Sequence, residues 1–126
     1  MGDVNKPTIL VIEDENGIRM YLKMMFEKKN FNVIEAVTGT EGHEKILSEH
    51  PDIVVLDIAM VGLNGVEIYR RLREHEETKN TPIIFCSALA LPADIKVSHE
   101  LHSDYLNKPF EFPELYQKVV DLLGLD

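Results

Sequence analysis

Ile53-Val54-Val55-Leu56-Asp57 is a run of four apolar residues that ends on a carboxylate. A short run that is apolar throughout, without alternation, suits a strand covered on both faces, as in a parallel sheet. The pattern recurs on either side of it. Thr8-Ile9-Leu10-Val11-Ile12 is followed by Glu13 and Asp14, Pro82-Ile83-Ile84-Phe85-Cys86 ends at Ser87, and Tyr105-Leu106 leads to Lys108. As parallel neighbours, these strands would bring their reactive residues to one carboxyl edge, where open α/β sheets bind ligands. Three carboxylates, one hydroxyl and one ammonium would then share a crevice. Packing alone does not require such a convergence.

Helical periods fill the intervals. Ile18, Tyr21, Leu22, Met25 and Phe26 share one face, with Lys23, Lys28 and Lys29 largely outside it. Phe31 to Val37 reads as a second strand, and Thr38-Gly39-Thr40-Glu41 as a capping box opening a helix that carries Ile46 and Leu47. Val61-Gly62-Leu63-Asn64-Gly65 reads as a loop, and Val66, Tyr69 and Leu72 mark the next helix. Pro113 sits at a helix start, before a stripe of Leu115, Tyr116, Val119, Leu122 and Leu123. The reading is an α/β fold: a doubly wound five-stranded parallel sheet flanked by five helices, in a single domain over 1–126 with its core at about 8–124. No internal repeat, low-complexity tract or linker interrupts it.

The fourth helix is the weak one. It is expected to start near Pro92 to Asp94, yet from Asp94 to Ser103 its large aliphatics are Ile95, Val97 and Leu101, which form no helical stripe. Two are β-branched, which disfavours helix slightly, and no glycine supplies a left-handed cap. A short or irregular helix is predicted there.

Composition narrows the class. With 126 residues, 44% of them hydrophobic, the chain can bury a core without staples. A net charge of −9 argues against direct nucleic-acid binding or attraction to an anionic membrane. The single cysteine, Cys86, lies within an apolar strand and reads as a buried, reduced thiol. No apolar stretch approaches the roughly 18 residues of a membrane span. Met1-Gly2 opens a myristoylation-like pattern, but Lys6 stands where Ser or Thr is required. A cytoplasmic location is expected.

Asp57, close to Glu13 and Asp14, would suffer like-charge repulsion that a divalent cation relieves. Hard oxygen donors suit Mg²⁺ or Mn²⁺, and no thiol or imidazole lies near in sequence to favour zinc. Metal, the Lys108 ammonium and the Ser87 hydroxyl together are equipment for holding a phosphoryl group, with Asp57 as the nucleophile that forms an aspartyl phosphate. His99 and His102 stand at helical spacing without an evident third ligand, and read as solvated surface.

Taken in order, several features resemble the receiver domain of bacterial two-component response regulators, over roughly residues 8 to 124. They are Glu13-Asp14, Asp57 after an apolar strand, the Gly62/Gly65 loop, Ser87-Ala88, and Asp104-Tyr105-Leu106-Asn107-Lys108-Pro109-Phe110. The resemblance implies a flavodoxin-like topology and a signalling switch, not an enzyme with an external substrate. Asp57 would accept phosphate from a histidine kinase or phosphotransfer protein. Asp14 and Asp57 would bind Mg²⁺ directly, Glu13 through water, and the Ala59 carbonyl would complete the protein ligands. Ser87 and Lys108 would contact the phosphoryl group, and Tyr105 would be the aromatic switch. The Lys108-Pro109 bond would be cis, turning Lys108 back into the crevice. Output would pass to a downstream protein or an appended domain, with the chain a monomer or a phosphorylation-dependent dimer.

Departures accompany the likeness. Val61 stands where proline is usual, Asn64 where aspartate is frequent, and Ala59 and Leu89 occupy positions that influence dephosphorylation in the family. Two other readings remain open. A metal-dependent phosphatase on this fold would place a second catalytic Asp two residues after the nucleophile, where Ala59 stands. A receiver-like module that is never phosphorylated would not need Glu13, Asp14, Asp57, Ser87 and Lys108 together. A flavodoxin-like cofactor protein is disfavoured, because Glu13-Asp14-Glu15 would repel an FMN phosphate.

Overall fold

Successive residues of a strand point to opposite faces, and β1 (Thr8–Ile12) shows the consequence. Ile9 and Val11 enter one core while Leu10 and Ile12 enter another. Ile53 and Val55 of β3 (Ile53–Leu56) divide from Val54 and Leu56 in the same way. So do Ile84 and Cys86 of β4 (Ile83–Ser87) from Ile83 and Phe85. Both faces are covered, which is why these runs do not alternate.

The computed structural model describes residues 5–125; the Met1-Gly2 pattern lies outside them. The remaining elements are α1 (Asn16–Lys28), β2 (Asn32–Ala36), α2 (Gly39–Glu49), α3 (Gly65–Glu74), β5 (Ser103–Asn107) and α4 (Phe112–Leu123). All strand pairings are parallel, in the order β2-β1-β3-β4-β5. Leu22 and Phe26 of α1 join Phe112, Leu115 and Val119 of α4 on one face. On the other, Ile46 of α2 joins Val66, Ile68, Tyr69 and Leu72 of α3. The first face is knitted by aromatic edges, with Phe26 ring centroids 5.2 Å from Phe31 and 5.0 Å from Phe112.

Local signals account for the helix starts. Thr38 Oγ1 accepts from the Glu41 N–H at 3.1 Å, while Glu41 Oε1 accepts from the Val37 N–H at 2.7 Å. Asn64 Oδ1 accepts from the Glu67 N–H at 2.9 Å, so the residue that departs from the frequent aspartate still caps α3. Glu111 and Glu114 close a reciprocal box around the start of α4, with Pro113 in its first turn.

One expectation is corrected. Four helices flank the sheet, not five: between β4 and β5 the described residues form turns and no helix. Ile95 N–H bonds to Pro92 O in an isolated turn, while Leu101 N–H to Ser98 O, His102 N–H to His99 O and Ser103 N–H to Ser98 O close one further turn that is not continued. Leu91, Ile95 and Val97 pack partly against the α2/α3-side core, but their spacing cannot hold a helix there. At the end, where a glycine would be expected, His102 itself takes the left-handed conformation at φ 55°. A non-glycine there costs about 1–2 kcal/mol.

Candidate functional site

The parallel register brings the ends of four strands level. Ile12 pairs with Leu56, Leu56 with Phe85, Phe85 with Tyr105, and Ser87 with Asn107. The residues that follow therefore emerge at one edge: Glu13 and Asp14 after β1, Asp57 after β3, Ser87 at the end of β4 and Lys108 after β5. The Lys108-Pro109 bond is cis, and the Lys108 N–H donates to Ser87 O at 3.0 Å.

Lys108 Nζ lies 2.6 Å from Glu13 Oε1 and 2.8 Å from Asp57 Oδ2. The second oxygen of each carboxylate takes a backbone N–H: Glu15 donates to Glu13 Oε2 at 3.1 Å, and Ala59 donates to Asp57 Oδ1 at 3.2 Å. This matters because Glu13 is only 4% exposed and Asp57 9%. Buried charge persists only when paired and hydrogen-bonded. Burial pushes the Glu13 pKa above its ordinary value, while the bond and charge of Lys108 pull it back and the adjacent Asp14 carboxyl adds to the rise. Burial alone would lower the Lys108 pKa, but hydrogen bonds to Asp57 and Glu13, and their charges, hold it above the ordinary lysine range.

Asp14 is exposed beside this trio. Among the described residues no group of three or more His, Cys, Asp or Glu side chains is gathered as a metal centre. The structure places Glu13, Asp14, Asp57 and Ala59 at one edge but sets the Lys108 ammonium between Glu13 and Asp57. The donor chemistry nonetheless fits a hard divalent cation: three carboxylates against one ammonium leave two negative charges, with oxygen donors alone.

Ser87 is 1% exposed, and its Oγ accepts from the Leu89 N–H at 3.1 Å. The hydroxyl therefore keeps its own proton for another acceptor. Tyr105 reaches the same loop. Its ring packs partly against the α2/α3-side core, and its hydroxyl lies 2.6 Å from Leu89 O and 2.8 Å from Asn107 Oδ1. The phenol is thus ringed by acceptors, with Ser87 O a third at 3.3 Å, and its one proton is shared among them with Leu89 O the nearest. His99 is a surface residue 3.9 Å from the Asp104 carboxylate, as its sequence context implied.

Three contributors lie outside the sequence reading. The Asp57 loop rests on α2: the Gly39 N–H donates to Val61 O at 2.9 Å, and a Cβ at Gly39 would overlap the Leu63 carbonyl oxygen. This contact restrains the loop where proline is missing. Asn107 next to Tyr105 is the second. Arg73 of α3, whose guanidinium bonds to four backbone carbonyls, is the third. Gly39 and Arg73 have no local sequence signal, since each acts on an element distant in the chain, whereas Asn107 acts on Tyr105 two residues away and stood in the quoted motif without a role. Beside the site, Gly17, Ile18 and Tyr21 of α1 face Pro109 and Phe110 across a mostly apolar groove of about 550 Å³, with Lys108 among its lining residues.

The response regulator receiver domain family matches residues 9–120. The chain is 37% identical over 124 residues to the transcriptional regulatory protein ResD of Bacillus subtilis, covering 98% of this chain and 50% of that one. It is 38% identical over 122 residues to the hybrid signal transduction histidine kinase D of Dictyostelium discoideum, covering 96% of this chain and 8% of the kinase. Among solved structures, it superposes with a TM-score of 0.78 and 33% identity on the response regulator protein TrrA from Thermotoga maritima in complex with Mg²⁺–BeF, covering 92% of this chain and 98% of that one. The chain thus spans half of one curated relative and a small part of the other. Among the described residues no helix is long and apolar enough to cross a membrane.

Proposed function

Because this chain belongs to the response regulator receiver domain family, we propose that it is a phosphorylation-dependent switch whose phosphoacceptor is Asp57. The observation that carries this reading is the Lys108 ammonium, held between the Glu13 and Asp57 carboxylates at the carboxyl edge of the sheet. An ammonium there is poised to follow negative charge from a carboxylate onto a phosphoryl group.

The donor is a phosphohistidine on a histidine kinase or phosphotransfer protein. A carboxylate oxygen of Asp57 attacks phosphorus in line; the P–O bond forms as the P–N bond breaks, and the leaving imidazole takes up a proton. Lys108 turns its N–H groups to the phosphoryl oxygens. Ser87, already an acceptor for the Leu89 N–H, donates its hydroxyl proton to one of them. That donation draws on the loop whose Leu89 carbonyl receives the Tyr105 hydroxyl, and so connects the acceptor to the aromatic switch. Mg²⁺ or Mn²⁺, when bound, supplies positive charge to the phosphoryl oxygens. Asp14 and Asp57 would hold it, with the Ala59 carbonyl, and Glu13 through water. The likeness to TrrA, solved with Mg²⁺–BeF, supports that cofactor.

Turnover of an external substrate is not part of this reading, because Ala59 stands where a phosphatase would carry a second acid. The groove between α1 and Pro109-Phe110 offers the donor an apolar seat beside Lys108. Output goes to a downstream protein or an appended domain, from a monomer or a phosphorylation-dependent dimer in the cytoplasm. The net charge of −9 leaves nucleic-acid contact to that partner.

The test is phosphorylation by acetyl phosphate or phosphoramidate, read by intact mass. One phosphoryl addition is expected in the wild type with Mg²⁺, and none in EDTA or in Asp57→Asn. Equal labelling of Asp57→Asn would overturn the assignment.

A further inference from the structure

In α3 a single rigid element touches the Asp57 loop at one end and the helix-free segment before β5 at the other. At its start, Gly65 N–H donates to Ile58 O at 2.9 Å, and a Cβ at Gly65 would overlap the carbonyl of Asp57 itself. Asn64 caps the helix from within the same loop. The helix therefore cannot keep its place if the backbone at Asp57 shifts.

At its far end, Arg73 spreads its guanidinium over the Tyr69 ring, 4.8 Å from the centroid. Nη1 donates to Thr81 O at 2.8 Å, and Nη2 donates to Leu101 O at 3.1 Å and His102 O at 3.0 Å. The His102 carbonyl also accepts the Ile83 N–H at 2.9 Å, which opens β4. His102 holds the left-handed conformation without being glycine, a backbone that persists only where its surroundings impose it. The His102 N–H to His99 O bond at 3.1 Å and the Ser103 N–H to Ser98 O bond at 2.9 Å close that turn, and Arg73 and Ile83 hold its carbonyls from outside. One turn earlier, Arg70 pairs with Asp94 at 2.8 Å, but both side chains are exposed, and such pairs contribute little. Arg73 is the anchor. The next residue after His102 is Ser103, the first of β5, which carries Tyr105 and leads to Lys108.

We propose that Arg73 is a positioning residue through which α3 couples the Asp57 loop to the 98–103 segment and β5, by a route separate from Ser87 and Tyr105. The proposal rests on the reading of Asp57 as phosphoacceptor. The clamp is formed in the arrangement in which Lys108 is bonded to Glu13 and Asp57. A phosphoryl group that draws Lys108 away and shifts the Asp57 backbone moves α3 and loosens the clamp. By linkage, weakening the clamp must favour the phosphorylated arrangement.

The test compares the wild type with Arg73→Lys, Arg73→Ala and, as a control, Arg70→Ala. Amide exchange and the affinity for beryllofluoride with Mg²⁺ are both measured by NMR. Arg73→Lys keeps a cation but loses the planar fork, so it reports where Arg73→Ala is too unstable. In the wild type, beryllofluoride should speed exchange at Leu101, His102 and Ser103. In Arg73→Lys these amides should already exchange at least about tenfold faster without it, the scale of charge-assisted hydrogen bonds lost. Its beryllofluoride affinity should rise by about threefold or more, in line with modest coupling between sites, while Arg70→Ala stays near the wild type. Faster exchange with unchanged beryllofluoride affinity in the Arg73 variants would show a merely structural arginine and overturn the coupling alone. A wild type that binds no beryllofluoride would sink the phosphoacceptor reading, and the coupling with it.

Discussion

Lys108 sets the charge balance of the site at the scale of a single residue. It neutralises part of a carboxylate pair that burial would otherwise penalise, and the two pKa shifts fix how its loss depends on pH. The folded pKa of Lys108 is raised, so its contribution is fully present below its ordinary 10.5 and is lost only as pH rises through the elevated folded value. The folded pKa of Glu13 is also raised from 4.5, so the cost of ionising it appears as pH rises through its folded value. In Lys108→Met, Glu13 keeps its burial penalty and loses the neighbour that offsets it. The variant should be less stable than the wild type by about 3 kcal/mol at neutral pH, the scale of an uncompensated buried charge. The gap should narrow on acidification toward pH 4.5 and stay level between about pH 8 and 10, which urea titrations followed by circular dichroism would measure. A gap that is constant or widens on acidification would contradict the assigned origin of the shifts.

Elements show which signals are local. Pro113 and the Thr38 cap are written within a few residues of the helices they start and read correctly, except that Glu41 returns its bond to the Val37 N–H and not to Thr38; the Asn64 cap was read only as loop. The helix expected between β4 and β5 is the instructive failure, since scattered aliphatics weakened the expectation without showing that turns would replace the helix entirely. Two glycines separate local preference from tertiary contact. A Cβ at Gly17, in the first turn of α1, would meet nothing within 4 Å. Gly17→Ala should therefore stabilise the chain by about 0.5 kcal/mol through lower unfolded-state entropy. At Gly39 the same methyl would strike the Leu63 carbonyl, so Gly39→Ala should cost about 2–3 kcal/mol by overpacking. Because it pushes α2 away from the Asp57 loop, it should also slow labelling by acetyl phosphate. Thermal melts of the two variants check the pair, and equal effects would show that Gly39 is only a helix-start glycine.

The whole molecule is two cores sharing one sheet. Ile9 and Val11 serve one face while Leu10 and Ile12 serve the other, so neither core can open without stripping β1. Amides of β1, β3 and β4 should exchange only with global unfolding. Those of residues 91–102, tied by isolated turns and Arg73, should exchange by local opening that is insensitive to low denaturant. Native-state exchange in dilute guanidinium distinguishes the two classes; protection of 91–102 at the global level would refute the assignment. This division also bounds what the chain declares about itself. Unbroken apolar runs ending on Asp57, Glu13 and Ser87 determined the parallel sheet and the edge at which those residues gather. A strand buried on both faces can be little else, and parallel order places the ends of its strands together. Tertiary structure alone decided that Lys108 bridges Glu13 and Asp57, that Gly39 braces the Asp57 loop, and that Arg73 holds a segment where a helix was expected. Each of these contacts joins residues remote in the chain, through carbonyls and charges whose positions exist only once the sheet and its two layers have closed.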